Sequence, residues 1–246
     1  MYYYIYDAYL ADKKYQQTLA KIETRLTDLG ISGKINRLSF SKNIGQILKE
    51  EVKRGLKTIV VVGNDKTLGN ILNLLPDISI PLGIIPVGND NAIANTLGIF
   101  DSESACEVLA SRIVERLDVG MINNYYFLTS LSVENQGVIL NCENSYFVEI
   151  TDTNHTIEII NLDTKGTCSP IDGQLDTYLK QKKQKLWRQQ LISTSHFRQQ
   201  QLTITSTNEQ SVSIMVHDEQ KIIKTPATIT LLPKKLRLIV GKNRNF

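Results

Sequence analysis

Thr58-Ile59-Val60-Val61-Val62-Gly63-Asn64-Asp65-Lys66-Thr67-Leu68-Gly69 decides how the first half of this 246-residue chain is read. The β-branched run Thr58–Val62 suits a parallel strand buried on both faces. Gly63 ends it, a short polar turn follows, and helical spacing begins at about Thr67 and runs to Leu75. Such a junction aims unpaired backbone N–H groups and a helix dipole at one spot, where a phosphate can sit. Asp65 can cap the helix or hold a magnesium-bound water, and Lys66 can offer charge to a phosphate. The plainer reading is a tight turn in which Gly63 and Asn64 reverse the chain and Asp65 caps the helix.

One strand and helix further on, the pattern recurs. Leu82-Gly83-Ile84-Ile85-Pro86-Val87-Gly88-Asn89-Asp90-Asn91 leads into Ala92-Ile93-Ala94-Asn95-Thr96-Leu97-Gly98-Ile99. Neighbouring strand ends in a doubly wound sheet border one crevice, so the two turns can grip one ligand. Outward from these turns, Tyr2–Tyr6 and Lys34–Leu38 are short β-prone runs. Helical spacing appears in Asp12–Leu29 before Gly30, in Ser41–Arg54 before Gly55, and in Ser102–Ile113. Strands alternating with helices over this span predict a parallel sheet with helices on both faces.

From Glu115 onward the character changes. Short β-prone runs recur at Arg116–Val119, Tyr125–Ser130, Gly137–Leu140, Tyr146–Ile150, Thr156–Leu162, Leu202–Ser206, Val212–Val216, Ala227–Leu232 and Leu236–Val240. They predict an antiparallel sandwich or barrel-like second domain. Asp176–Gln190, rich in Lys and Gln, is open to a helix or an exposed hairpin. The expected division is an α/β domain over residues 1–114 and an all-β domain over 115–246.

Composition narrows the function classes. The chain is 41% apolar and 22% charged, which fits a folded globular protein. Its net charge of +3 is too small to argue for nucleic acid. Apolar runs such as Ile59–Val62 and Leu82–Val87 are too short to span a bilayer. The opening Met1-Tyr2-Tyr3-Tyr4-Ile5-Tyr6-Asp7 lacks the form of a secretory signal, and Cys106, Cys142 and Cys168 form no CxxC pair. A reducing cytoplasm is the expected setting.

The two turns resemble the hallmarks of the diacylglycerol kinase catalytic domain family, which includes sphingosine kinases and bacterial lipid kinases and is distantly related to NAD kinases. Gly63-Asn64-Asp65-Lys66-Thr67 keeps the first Gly, the Asp and the Thr of the family's Gly-Gly-Asp-Gly-Thr. The second hallmark matches without a gap at Leu82–Pro86, Gly88, Asn91, Ala94 and Leu97–Ile99. Leu117-Asp118-Val119-Gly120 and Tyr126-Phe127-Leu128 resemble the start of the family's β domain. Val216-His217-Asp218-Glu219, Thr225–Ile229 and Leu232–Leu238 resemble its closing strands. The resemblance covers nearly the whole chain.

It implies ATP and Mg2+ as cofactors, the metal arriving with the nucleotide, and no resident metal site is assigned. Phosphate-binding positions would be Gly63, Asn64, Asp65, Lys66, Thr67, Gly88, Asn89 and Asn91. A lipid hydroxyl would be the acceptor. The family's Asp-Gly-Glu, whose Asp acts as general base, aligns with His217, Asp218 and Glu219. His217 can serve as a base near neutral pH. In a strand, Asp218 would face the opposite side and could not simply replace it. The alternative is a polar turn between Val216 and Lys221 with no catalytic part.

Departures from the family accompany the matches. Tyr6-Asp7-Ala8-Tyr9-Leu10 stands where relatives carry an Asn-Pro-x-x-Gly turn. Asn64 and Lys66 replace glycines and narrow the approach to a phosphate, although Asn tolerates left-handed geometry. Asn89, Ala92 and Asn95 replace a Thr, an Asp and an Arg. Glu134-Asn135-Gln136-Gly137 replaces a Gly-rich turn that usually ends in Asp.

Other features read more plainly. His155 and His196 lack metal-ligand spacing. Between Thr177 and Asn208 there is no acidic residue, while Lys180, Lys182, Lys183, Lys185, Arg188 and Arg198 surround Leu186 and Trp187. That stretch is either a solvated charged face or a peripheral contact with an anionic membrane surface. The expected function is an ATP-dependent lipid kinase with His217, Asp218 and Asp65 as catalytic candidates. It would be cytoplasmic, with peripheral contact at the inner membrane surface, and a homodimer is compatible with it. The alternative is a catalytically degenerate nucleotide-binding or regulatory module of the same fold. An NAD kinase fits less well, because the C-terminal matches follow the lipid-kinase pattern.

Overall fold

A computed structural model describes residues 1–39, 43–75, 77, 79–133, 137–143, 145–150, 155–185, 188–207, 210–217 and 219–246, and the side chains of 182–192 lie outside the description. Two units are present. Met1–Leu117, Thr164–Gly166 and Lys234–Phe246 form the first, and Asp118–Asp163 with Thr167–Pro233 form the second. The division is therefore not one cut in the chain, because the last thirteen residues belong with the first unit.

The first unit is α/β. Its elements are β1 (Tyr2–Tyr6), α1 (Gln16–Asp28), β2 (Gly33–Arg37), α2 (Ile44–Lys53), β3 (Thr58–Gly63), α3 (Asp65–Leu72), β4 (Leu82–Pro86), α4 (Ala92–Thr96) and α5 (Ser102–Ser111). The strands lie parallel in the order β2-β1-β3-β4, and Leu238 of the closing strand pairs with Leu82 of β4. Every residue of β3 and β4 is buried, as a β-branched run with no polar alternation requires. The helices contribute single apolar stripes, such as Leu19, Ile22 and Leu26 of α1. Because β1 leads to β2 on one side while β3 and β4 lie on the other, the topological switch falls between β1 and β3. Open α/β sheets bind ligands outside the carboxyl ends of the strands at such a point.

The chain then continues with β5 (Val114–Ile122), β6 (Tyr125–Phe127), β7 (Ser130–Val133), β8 (Val138–Cys142), β9 (Tyr146–Ile150), β10 (His155–Ile160), β11 (Leu175–Lys185), β12 (Arg188–Gln199), β13 (Gln201–Ser206), β14 (Ser211–Val216), β15 (Glu219–Lys224) and β16 (Ala227–Ile239). In the second unit β12-β11-β10-β7-β14-β15 form one antiparallel sheet, and the first part of β16 pairs with β13, which continues to β8 and β9. Inward side chains of both layers, including Phe127, Leu131, Leu140, Ile204, Ile214 and Ile229, form one apolar core. This is the packing of a β-sandwich. The Lys/Gln-rich segment left open between helix and hairpin is a hairpin, β11 paired with β12. The expected Ser41 start of α2 and the turn at 134–136 lie outside the described residues.

One buried polar group ties this sandwich together. Asn161 is 1% exposed and its side-chain amide donates to the carbonyls of Leu128 (2.7 Å) and Asp118 (3.0 Å). The Asp118 carboxylate in turn accepts the Gly173 N–H at 2.8 Å. Removing Asn161 strands two carbonyls away from water. Asn161→Ala is expected to cost about 2–4 kcal/mol and to lower the melting temperature by roughly 5–15 °C in a thermal denaturation scan.

Candidate functional site

The carboxyl ends of β1, β3 and β4 carry the polar turns. Thr67, buried in the first turn of α3, donates its hydroxyl to Asp7 Oδ2 at 2.7 Å, across the β1/β3 switch. Asn64 is the N-cap of α3. Its Oδ1 accepts the Thr67 N–H at 3.1 Å, while Thr67 Oγ1 accepts the Asn64 N–H at 3.2 Å, a reciprocal capping box. Gly63 is forced by this arrangement, since a Cβ there would stand 2.5 Å from Thr67 Oγ1. Asn64 has φ −116° and ψ −173°, so its tolerance of left-handed geometry is not called upon. The residue that replaces a glycine is here a helix cap. Lys66 projects from the first turn of α3 and is exposed.

Asp65 joins the two turns. Its N–H donates to the Asp90 carbonyl at 2.9 Å and its Oδ2 accepts the Ile93 N–H at 3.0 Å. The other oxygen, Oδ1, is enclosed without a hydrogen-bond partner among the described residues. Burial pushes this carboxyl up from 3.8 to about 6. The backbone N–H groups of Ile93, Ala92 and Ala94 oppose the rise, and the Asp90 charge adds to it. At neutral pH the group is therefore ionised but destabilised.

Gly88, Asn89 and Asn91 complete the second turn. Asn91 stands at the start of α4 and donates its side-chain amide to the Gly88 carbonyl at 2.8 Å, while Asn89 is exposed. Gly88 has φ +85°, a conformation that favours glycine. Two residues absent from the sequence-based list also stand here. Tyr9 donates its hydroxyl to the Val87 carbonyl at 2.7 Å, and Tyr15 meets Tyr9 edge-on with ring centroids 5.5 Å apart. Asp7, Tyr9 and Tyr15 were missed because the absence of an Asn-Pro turn in Tyr6–Leu10 says what is lost, not what replaces it. The signal lay in Asp7 and Asp12, each two residues before an N–H that it caps.

The remaining candidates belong to the β unit. His217 has φ +48° and stands at the turn between β14 and β15, with its ring 6.2 Å from that of Tyr125. It is not in a strand, so the alternation of faces expected along 217–219 does not apply. Asp218 lies outside the described residues. His196, which lacks metal-ligand spacing, has a partner all the same. Its Nε2 lies 2.6 Å from Asp176 Oδ1, its ring stacks on Tyr178 at 4.5 Å, and Arg198 Nε donates to the same carboxylate oxygen at 2.9 Å. The basic stretch is thus anchored by acids outside its window, with Lys180 paired to Glu158 and Arg198 also facing Asp172 at 3.7 Å. Leu186, Trp187 and the side chains of Lys182, Lys183, Lys185 and Arg188 lie outside the description.

Among the described residues no three His, Cys, Asp or Glu side chains gather as a metal site, and no helix is long and apolar enough to cross a membrane. The residues nevertheless suit a nucleotide that brings its own magnesium. Asp65 Oδ1 has no hydrogen-bond partner among the described residues, and the Gly63–Thr67 turn begins an eight-residue helix whose first N–H groups favour an anion.

Comparison with known proteins agrees with this geometry. The profile of the diacylglycerol kinase catalytic domain matches residues 2–122. A Staphylococcus haemolyticus protein named as an inferred lipid kinase is 22% identical over 82% of this chain and 84% of its own. The diacylglycerol kinase of Bacillus subtilis is 27% identical over 50% of this chain and 42% of its own. A crystal structure of a diacylglycerol kinase from Bacillus anthracis has a TM-score of 0.77 at 17% identity, covering 98% of this chain and 97% of that one, and so shares the fold. Through residues 2–122, the chain belongs to the diacylglycerol kinase catalytic domain family.

Proposed function

We propose that this chain is an ATP-dependent lipid kinase that transfers the γ-phosphate of ATP to the hydroxyl of a diacylglycerol- or sphingosine-like lipid. The observation that carries the reading is Asp65, a destabilised carboxylate with one unpartnered oxygen, fixed by backbone groups between the two turns. In the transfer the lipid oxygen bonds to the γ-phosphorus, the bond to the β–γ bridging oxygen breaks, and ADP leaves with that electron pair. The hydroxyl proton goes to a base, for which His217 and Asp218 are the candidates. Magnesium, carried by the nucleotide, neutralises the phosphate charge. The Gly63–Thr67 backbone and Lys66 would bind and orient the phosphates, and Asp65 would hold, through a water, the magnesium that the nucleotide brings.

A lipid acceptor also favours peripheral contact between the basic β11–β12 hairpin and an anionic membrane surface, on the cytoplasmic side. The second reading, a degenerate nucleotide-binding or regulatory module, is favoured by one observation. Thr67, the Thr of the first hallmark, already gives its hydroxyl to Asp7.

The decisive assay is phosphate transfer from Mg–ATP to a panel of diacylglycerol, monoacylglycerol and sphingosine, with NAD as a control acceptor. A labelled lipid is expected, and Asp65→Ala should reduce its formation at least about 100-fold, the scale of a lost electrostatic contact to a transferring phosphoryl group. Thermal stabilisation by Mg–ATP with no product from any lipid would support the degenerate module instead.

Asp65→Asn separates charge from shape. The folded-state value of Asp65 lies above its ordinary 3.8, so its contribution to stability is fully present below about pH 4 and is lost as pH rises through about 6. Chemical denaturation at pH 4 and pH 7 should show the wild type losing on the order of 1–2 kcal/mol relative to Asp65→Asn, a figure discounted for partial solvent access. Activity should move oppositely, rising in the wild type through about pH 6 as Asp65 ionises.

A further inference from the structure

We infer that Tyr9 and Tyr15 form a latch against the Cβ side of Gly88, in a turn whose residues 88–90 are otherwise exposed, and that the latch must open before a nucleotide phosphate can approach the Gly88 backbone from that side. A glycine in a phosphate-binding turn is useful because the missing Cβ lets a ligand come close to the backbone. At Gly88 that space is taken by this chain itself. Where a Cβ would stand, the Tyr15 hydroxyl is 3.2 Å away, and the Tyr9 ring edge and hydroxyl are both 3.6 Å away.

The latch is built from local sequence. Asp7 accepts the Tyr9 N–H and starts a short 3-10 turn over Ala8–Ala11; Asp12 accepts the Lys14 N–H and starts a second over Lys13–Tyr15. Leu10 is 2% exposed and anchors the segment in the core, which leaves Tyr9 to face the turn. The Tyr9 hydroxyl bonds the Val87 carbonyl, Tyr15 braces its ring, and the Lys14 ammonium lies 4.9 Å from the Tyr15 ring centre. Asp7 also holds the Thr67 hydroxyl, so the segment that carries the latch is tied to the first phosphate turn as well.

The contacts that hold the Tyr9 ring itself in place are few. One neutral hydrogen bond and one aromatic edge contact are interactions that a charged ligand can displace. A closed form that dominates the free protein lowers apparent nucleotide affinity by the fraction that is open. The tyrosines thereby set the ATP concentration at which the site fills, rather than abolishing binding.

This inference rests on the α/β unit binding nucleotide, and the test separates the two. Mg–ATP affinity is measured by calorimetry for the full chain, Tyr9→Phe and Tyr15→Ala, together with amide hydrogen exchange of the peptides covering 8–15 and 87–91. Tyr9→Phe, which removes only the hydroxyl, should bind Mg–ATP about fivefold more tightly, the factor for one neutral hydrogen bond, and should speed exchange at 87–91 without ligand. In the wild type, Mg–ATP should protect 87–91 while exchange in 8–15 becomes faster. Wild-type binding that is unchanged or weakened in both variants, or ATP protection of both segments, would overturn the latch and make the tyrosines part of the bound pocket. Absence of binding in wild type and variants alike would overturn the nucleotide reading and the latch with it.

Discussion

The hydrogen bond from Thr67 to Asp7 organises the α/β unit at its working edge. It joins the ends of β1 and β3 at the one place where the sheet order reverses, and so closes the crevice that the topology opens. Several local choices follow from it. Gly63 must lack a Cβ because Thr67 Oγ1 occupies that space. Asn64 must offer an acceptor, since the Thr67 N–H points into the same cluster. Asp7 must be short and acidic, because it caps the turn that follows β1 while it accepts from Thr67. A strand end that would otherwise leave donors to water is thereby satisfied within the protein.

Asp65 shows the opposite economy. It is one residue from the satisfied cap, yet one of its oxygens has no partner among the described residues and its charge is opposed by burial. Replacing it with a neutral group of the same shape would relieve that penalty at neutral pH, so packing alone gives no reason for a carboxylate here. Local groups that break the pattern of satisfied polar contacts are where chemistry is to be sought. The bond from Asp65 N–H to the Asp90 carbonyl, with the bond from Ile93 N–H to its carboxylate, also makes the two turns one rigid piece. A displacement of either turn would be felt by the other.

Much of the α/β unit was legible because its signals are local. The run Ile59–Val62 has no polar alternation and so suits a strand covered on both faces, and the structure exposes none of it. Gly63 and Gly88 marked the turns for the same reason that they form them. What escaped was carried by contacts between distant positions. Nothing within Tyr6–Leu10 says that Tyr9 reaches Val87, 78 residues away. Nothing in a window without acids says that Arg198 meets Asp176, its partner across the β11–β12 hairpin. The return of Lys234–Phe246 to the first unit was equally silent, because the runs Ala227–Leu232 and Leu236–Val240 both read as strands of the β domain, while in the structure they form one strand whose last residues pair with β4. The predicted run ends at Val216, and of the two readings for 217–219, a strand position or a polar turn, the structure has His217 in the turn. The positive φ that ends the strand there is accessible to His, although no composition rule demands it.

The basic stretch of the β unit illustrates why a charge count is a weak guide to a surface. Six cations without an acid suggest a field strong enough to hold a membrane, yet the two described ends are already engaged. Lys180 is paired with Glu158, and Arg198 is shared between Asp176 and Asp172. Asp176 is 1% exposed, and its Oδ1 is held by both Arg198 and His196, so removing Arg198 would leave that buried oxygen with His196 alone of the two. Neutralising Arg198 would disturb the fold before it disturbed any surface contact.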